Sequence, residues 1–172
     1  MVFVPVQILG VGLMILFRQP HTSIGLVIMC QVIISLSAGT LMICEEMAVM
    51  AAASHNDIAI VLALQGLFSN LGGAIGQTLS GVIWSATVPK YLVEYLPEPV
   101  KEKAMDIYAS LPAQLAYQMG TLEREAIMAA YAVGMRRMLI AAIALLPMGI
   151  AWVAMWRNIQ LKNVTQVKGN IV

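Results

Sequence analysis

Charge is what this sequence has least of. Only 11% of its 172 residues are Asp, Glu, Lys or Arg, against roughly 25% in soluble domains, too few to clothe a water-facing surface. The net charge of +1 leaves no concentrated basic face, which excludes nucleic acid as a partner. Cysteine is scarce too. Cys30 and Cys44 stand fourteen residues apart in one expected helix, about 21 Å at 1.5 Å per residue, so they cannot pair with each other. With only His21 and His55 available, and neither G-x-S-x-G nor H-E-x-x-H present, the residues read as a non-enzyme with no cofactor and no metal site. No basic residue precedes the first apolar run, as a signal peptide would need. The chain starts inside a hydrophobic segment, which points to a fragment of a longer protein or a truncated gene model.

Apolar residues are what the chain has in excess. They make up 60% of it, and a mean hydropathy of +0.82 places it among integral membrane proteins, with the lipid bilayer as its solvent. Between Asp57 and Lys90 lie thirty-two uncharged residues, IAIVLALQGLFSNLGGAIGQTLSGVIWSATVP, more than the roughly 20 that cross a bilayer. Three further runs give spans at about 2–17, 24–50 and 138–156, beside this one at 58–88. The expected fold is all-α: a polytopic membrane helix bundle of about four transmembrane helices, with amphipathic helices in a long loop.

Polar residues inside the spans carry the functional reading. In the third span Gly72 and Gly76 form a G-x-x-x-G pair beside Gly73, which lets another backbone approach closely. Gln65, Asn70 and Gln77 accompany them at near-helical spacing, so one face either packs into a polar bundle interior or lines a substrate path. In the second span Gln31 and Ser35 sit one turn apart and read most simply as helix-to-helix hydrogen bonders. Glu45 and Glu46 follow about 31 Å from Ile24, already a hydrocarbon thickness. They are either interfacial carboxylates in contact with water, or one of them exchanges protons during transport. His55, with no second ligand nearby, reads as a solvated loop residue.

Residues 89–137 read as a long external loop. Pro97 and Pro99 open a helix whose Val100, Ala104, Ile107, Tyr108 and Leu111 share a face, suited to the membrane surface or to capping the bundle. A second helix is expected from Leu122 to Arg137, before the last span. Trp152 and Trp156 fit an aromatic belt and Pro147 a kink. The tail, 157–172, carries Arg157, Lys162 and Lys168 without an acid and is placed in the cytoplasm. Asn163 lies in the chain's sequon, Asn163-Val164-Thr165; a glycan there would invert that orientation.

Several of these stretches resemble a known family. Ser54-His55-Asn56-Asp57 followed by IAIVLAL, GGAIGQTLSGVIW from Gly72 to Trp84, Pro89-Lys90-Tyr91-Leu92 with Tyr95-Leu96-Pro97, and Arg136-Arg137-Met138-Leu139-Ile140 together look like the C-terminal part of fungal siderophore-iron transporters of the major facilitator superfamily. The resemblance implies proton-coupled import of ferric siderophores, in a plasma or endosomal membrane, by a carrier of about fourteen spans of which this chain supplies the last four. The missing N-terminal helices then become its partners, and the isolated chain is expected to be inactive. On that reading Gln65, Asn70 and Gln77 face the cavity, Gly72, Gly73 and Gly76 permit sliding contact, Glu45 and Glu46 handle protons, and Tyr91, Tyr95, Tyr108 and Tyr117 gate the outer mouth. A drug or organic-ion antiporter of the same superfamily, and a non-transporting four-span structural protein, are the competing readings.

Overall fold

The computed structural model describes residues 2–54 and 56–155. Among them every regular element is helical: α1 Phe3–Phe17, α2 Ile24–Ala52, α3 Ile58–Tyr95, α4 Glu98–Lys101, α5 Ala104–Ala109, α6 Leu111–Leu115 and α7 Leu122–Ala154. Three of these, α2, α3 and α7, are long and apolar enough to cross a membrane. The fourth expected span is α1, whose 15 residues reach about 22 Å, short of a hydrocarbon core of roughly 30 Å. The tail residues Arg157, Lys162 and Lys168, the Asn163 sequon, Trp156 and His55 lie outside the described residues.

Glycine sets how the long helices meet. A Cβ on Gly10 would stand 2.8 Å from Ile34 of α2, one on Gly12 3.3 Å from Ile143 of α7, and one on Gly134 of α7 2.7 Å from Val88 of α3. Each hydrogen in place of a methyl lets two backbones close up without a clash. The result is a row in the order α2, α1, α7, α3, whose ends α2 and α3 touch each other far less than their neighbours do. Arg18, Gln19 and Pro20 from the α1–α2 loop share a cleft of about 330 Å³ with Trp84 of α3 and Met128 and Tyr131 of α7. That loop and the segment between α3 and α7 therefore occupy one end of the bundle. The turn after Ala52 lies at the other, since α2 with its 29 residues is about 43 Å long.

Two helix ends differ from expectation. Rather than stopping near Val88, α3 runs through Pro89 to Tyr95, because its last turns bury Val88, Leu92 and Leu96 and that packing outweighs the hydrogen bond proline cannot donate. The helix expected over 122–137 and the span after it are one element, α7, 33 residues long; Arg136 and Arg137 are exposed on its surface and do not interrupt it. The stretch that connects α3 to α7 comprises residues 96–121. Its expected amphipathic helix is broken into α4, α5 and α6. Ala104 and Ile107 are buried in the cluster, with Val100 and Tyr108 against it, but Leu111 is 63% exposed because Ser110 is extended, at φ −132° and ψ 117°, which breaks the helical register.

Buried apolar residues concentrate at this end. Val88, Leu92 and Leu96, Ala104 and Ile107 of α5, and Ile127 and Ala130 of α7 form one cluster. Along the most apolar stretches of α3 and α7, by contrast, no residue is buried within the chain. Lipid or further protein must cover those faces.

Candidate substrate and proton path

The small contact between α2 and α3 leaves an open groove of about 550 Å³, lined by Met42, Glu45, Glu46 and Met50 on one side and Leu62, Gln65, Gly66, Ser69 and Asn70 on the other. Helix periodicity puts them there: Met42, Glu46 and Met50 recur every four residues on α2, and Leu62, Gln65 and Ser69 follow the same ridge of α3. Both expected proton-handling residues and two of the three expected path residues, Gln65 and Asn70, thus meet at one seam. Glu46 is partly buried and Glu45 exposed. Among the described residues no basic side chain lines the groove, and its polar groups are the acids Glu45 and Glu46, the amides Gln65 and Asn70 and the Ser69 hydroxyl. The Oε1 atom of Gln65 is buried without a hydrogen-bond donor.

Gln77 does not join this groove. It stands seven residues beyond Asn70, about 10 Å up the helix, and is exposed. Among the described residues nothing beyond the helix's own neighbouring backbone comes within 4 Å of a Cβ placed on Gly72, Gly73 or Gly76, so this face of α3 is bare. Its hydroxyls are satisfied locally: Thr78 donates to the Ala74 carbonyl at 2.8 Å and Ser80 to that of Gly76 at 2.9 Å, as hydroxyls in membrane helices do. Gln31 and Ser35 are likewise exposed, in a shallow groove lined by α2 residues alone.

The tyrosines divide. Tyr91, Tyr108 and Tyr117 pack against the buried cluster, whereas Tyr95 is 41% exposed. Arg137 donates to the Tyr91 hydroxyl at 2.8 Å and its guanidinium lies 5.1 Å from the same ring, a cation–π contact. Tyr95 stacks obliquely on Tyr91, centroids 5.4 Å apart. Of the four gate candidates, Tyr95 is thus the one that remains exposed.

Four further residues, Gln114, Tyr131, Arg124 and Gln7, had no signal beyond their polarity. Gln114 donates to the Ile107 carbonyl at 2.9 Å and to the Tyr131 hydroxyl at 2.6 Å, while its own carbonyl accepts from Arg124 at 2.7 Å. These bonds fasten α6 to α7. Gln7, the sole polar side chain of α1, also buries an Oε1 without a donor. Among the described residues no group of three or more His, Cys, Asp or Glu could hold a metal ion.

No protein-family model and no solved structure matches the chain. Curated sequences do. The chain is 51% identical over 98% of its length to an MFS siderochrome iron transporter 1 of Ajellomyces capsulatus, covering 29% of that protein. It is 46% identical over 96% of its length to the MFS siderochrome iron transporter D of Aspergillus fumigatus, covering 28% of it. With the siderophore iron transporter mirB of Emericella nidulans the identity is 38% over 98% of the chain and 28% of the relative. The apolar helices and these relatives agree on an integral membrane protein, and the chain belongs with the fungal siderochrome iron transporters of the major facilitator superfamily, of whose length it spans somewhat more than a quarter.

Proposed function

We propose that this chain forms part of a carrier that imports ferric siderophores, driven by protons and working by alternating access. The groove between α2 and α3 carries the reading, because it gathers Glu45, Glu46, Gln65 and Asn70 at a seam with little packing of its own. A carrier needs such seams: two bodies can part only where few contacts must break, and the site must lie between them. Iron reaches this carrier already chelated, so amides that hydrogen-bond the chelate are the groups required, with Gln65 and Asn70 in the groove and Gln77 farther along the same path. Gly72, Gly73 and Gly76 would meet helices supplied by the rest of the carrier, and their bare face on α3 supports that role. The segment 96–121 would cap the outer side, with Tyr95 at the mouth, and the tail would lie in the cytoplasm of a plasma-membrane or endosomal carrier.

The test is a carrier of the relatives' full length that bears this chain in place of their matching segment, expressed in a yeast unable to import siderophores. Uptake of iron-labelled siderophore is expected, and Asn70→Leu should abolish most of it while leaving surface expression intact. A chimera that is well expressed yet imports no siderophore, while exporting a drug or organic cation, would replace this reading with the antiporter one.

A further inference from the structure

We propose that the cleft at the loop end of the bundle holds one phospholipid, its headgroup phosphate on Arg18 and an acyl chain against Trp84, Met128 and Met135. This is the cleft of about 330 Å³ that the α1–α2 loop shares with α3 and α7. Three of its lining side chains are polar, and two of these are already engaged. The Tyr131 hydroxyl accepts from Gln114 at 2.6 Å, and Gln19 donates to the Ile15 carbonyl at 3.5 Å. Arg18 is exposed and no acid pairs with it, since the ion pair among the described residues joins Lys101 to Glu98. The remaining walls are apolar, with the partly buried Trp84 ring among them.

The level at which charge returns to the helices sets this cleft at the membrane surface. α1 is uncharged until Arg18, the long run of α3 is uncharged until Lys90, and the apolar run of α7 begins at Met138, just after Arg136 and Arg137. Contacts between the helices bring these cations to one level. A Cβ on Gly134 would stand 2.7 Å from Val88, Arg137 donates to the Tyr91 hydroxyl at 2.8 Å, and Arg18 shares the cleft with Trp84 and Met135. The acids lie farther out. Glu94 follows Lys90 by four residues and Glu125 precedes Arg136 by eleven, about 6 and 16 Å along their helices. Cations first and acids beyond is the order that a plane of lipid phosphates favours, because Arg and Lys reach it along apolar stems while carboxylates are repelled by it. Trp84, at the same level, has the place of an interfacial aromatic.

The chemistry of the cleft selects a ligand with two parts. A guanidinium meets a phosphate through paired, charge-assisted N–H···O bonds, and the apolar walls beside it gain by covering hydrocarbon. A phosphate alone leaves those walls wet, and a chain alone leaves the Arg18 charge unmatched. A phospholipid at the membrane surface supplies both at once. Phosphates occur in both leaflets, so the site depends neither on the orientation nor on the siderophore reading above.

Photo-crosslinking of the full-length carrier in detergent, with a few lipids added per carrier, tests the site. The probe is a phosphatidylcholine with a diazirine in one acyl chain, and labelled residues are mapped by peptide mass spectrometry. Labelling is expected at Met128, Met135 and Trp84, and unlabelled dioleoylphosphatidylcholine should displace it. Dioleoylglycerol, which has the chains without the phosphate, and glycerophosphocholine, which has the phosphate without the chains, should not. Arg18→Gln should lower labelling by about tenfold, the order expected for loss of a charge-assisted contact. Ala132→Phe, which fills the cleft and keeps Arg18, should lower it too. Absence of labelling at these residues overturns the site, as does labelling that survives Arg18→Gln. Equal displacement by dioleoylglycerol or by glycerophosphocholine overturns the two-part recognition, and displacement by a ferric siderophore makes the cleft part of the substrate path instead. The displacement arms use the wild type, so they decide the matter even where a variant fails to fold.

Discussion

At Gly134 the place of a side chain is already taken. A methyl there would stand 2.7 Å from Val88 and 3.5 Å from the Trp84 ring, so Gly134→Ala must push α7 off α3 or distort Val88. Overpacking of this kind costs about 1–3 kcal/mol, and we expect Gly134→Leu to abolish expression of the folded carrier. Gly76→Leu should behave differently, because nothing among the described residues meets it: expression is kept and uptake is lost, through helices that the rest of the carrier contributes. Thermal unfolding in detergent and cell uptake, measured on both variants, separate the two cases. The contrast also marks how far single residues could be read. Spacing drew attention to Gly72 and Gly76, yet the close approaches made inside the chain are those of Gly10, Gly12 and Gly134, which belong to no G-x-x-x-G pair. A glycine's role depends on what faces it, and a sequence does not record the facing helix.

Among the elements, α3 and α7 are longer than a membrane requires. Their 38 and 33 residues amount to about 57 and 50 Å against a core of roughly 30 Å, and the excess is what α4, α5 and α6 fold against. Gln114 is the fastening, bonded to α5 through Ile107 and to α7 through Tyr131 and Arg124. Replacing it with Leu leaves the Tyr131 hydroxyl and the Ile107 carbonyl without these partners, at a cost of about 1–3 kcal/mol, while Arg124 keeps the backbone carbonyl of residue 114. We expect Gln114→Leu to speed protease cleavage within 96–121 by roughly 5- to 150-fold, the factor that this cost implies, while cleavage elsewhere is unchanged. Apolar runs revealed the long helices because a span is a compositional fact. Their ends were less legible: Pro89 and the Arg136–Arg137 pair look like boundaries, and packing carried the helices past both.

For the whole molecule, the shared cleft of Arg18, Gln19 and Pro20 with Trp84 and Tyr131 sets the α1–α2 loop and the 96–121 segment on one side. Met119, 76% exposed, replaced by Cys in a carrier without other cysteines, should react with a membrane-impermeant maleimide on intact cells, whereas Ser54→Cys should react only after permeabilisation. The reverse pattern would invert the proposed orientation. That the chain is a helical membrane protein was determined by the sequence alone, because a charge fraction of 11% leaves hydrocarbon as the only solvent that suits it. The polar residues of α2 and α3 were also legible as candidates, since amides and acids inside apolar runs are conspicuous. That Glu46 and Gln65 share a seam while Gln77 stands apart was decided only by tertiary structure. Which faces of α2 and α3 meet depends on the glycine contacts that seat α1 and α7 between them, and those contacts join residues too far apart in the chain for any local pattern to reveal.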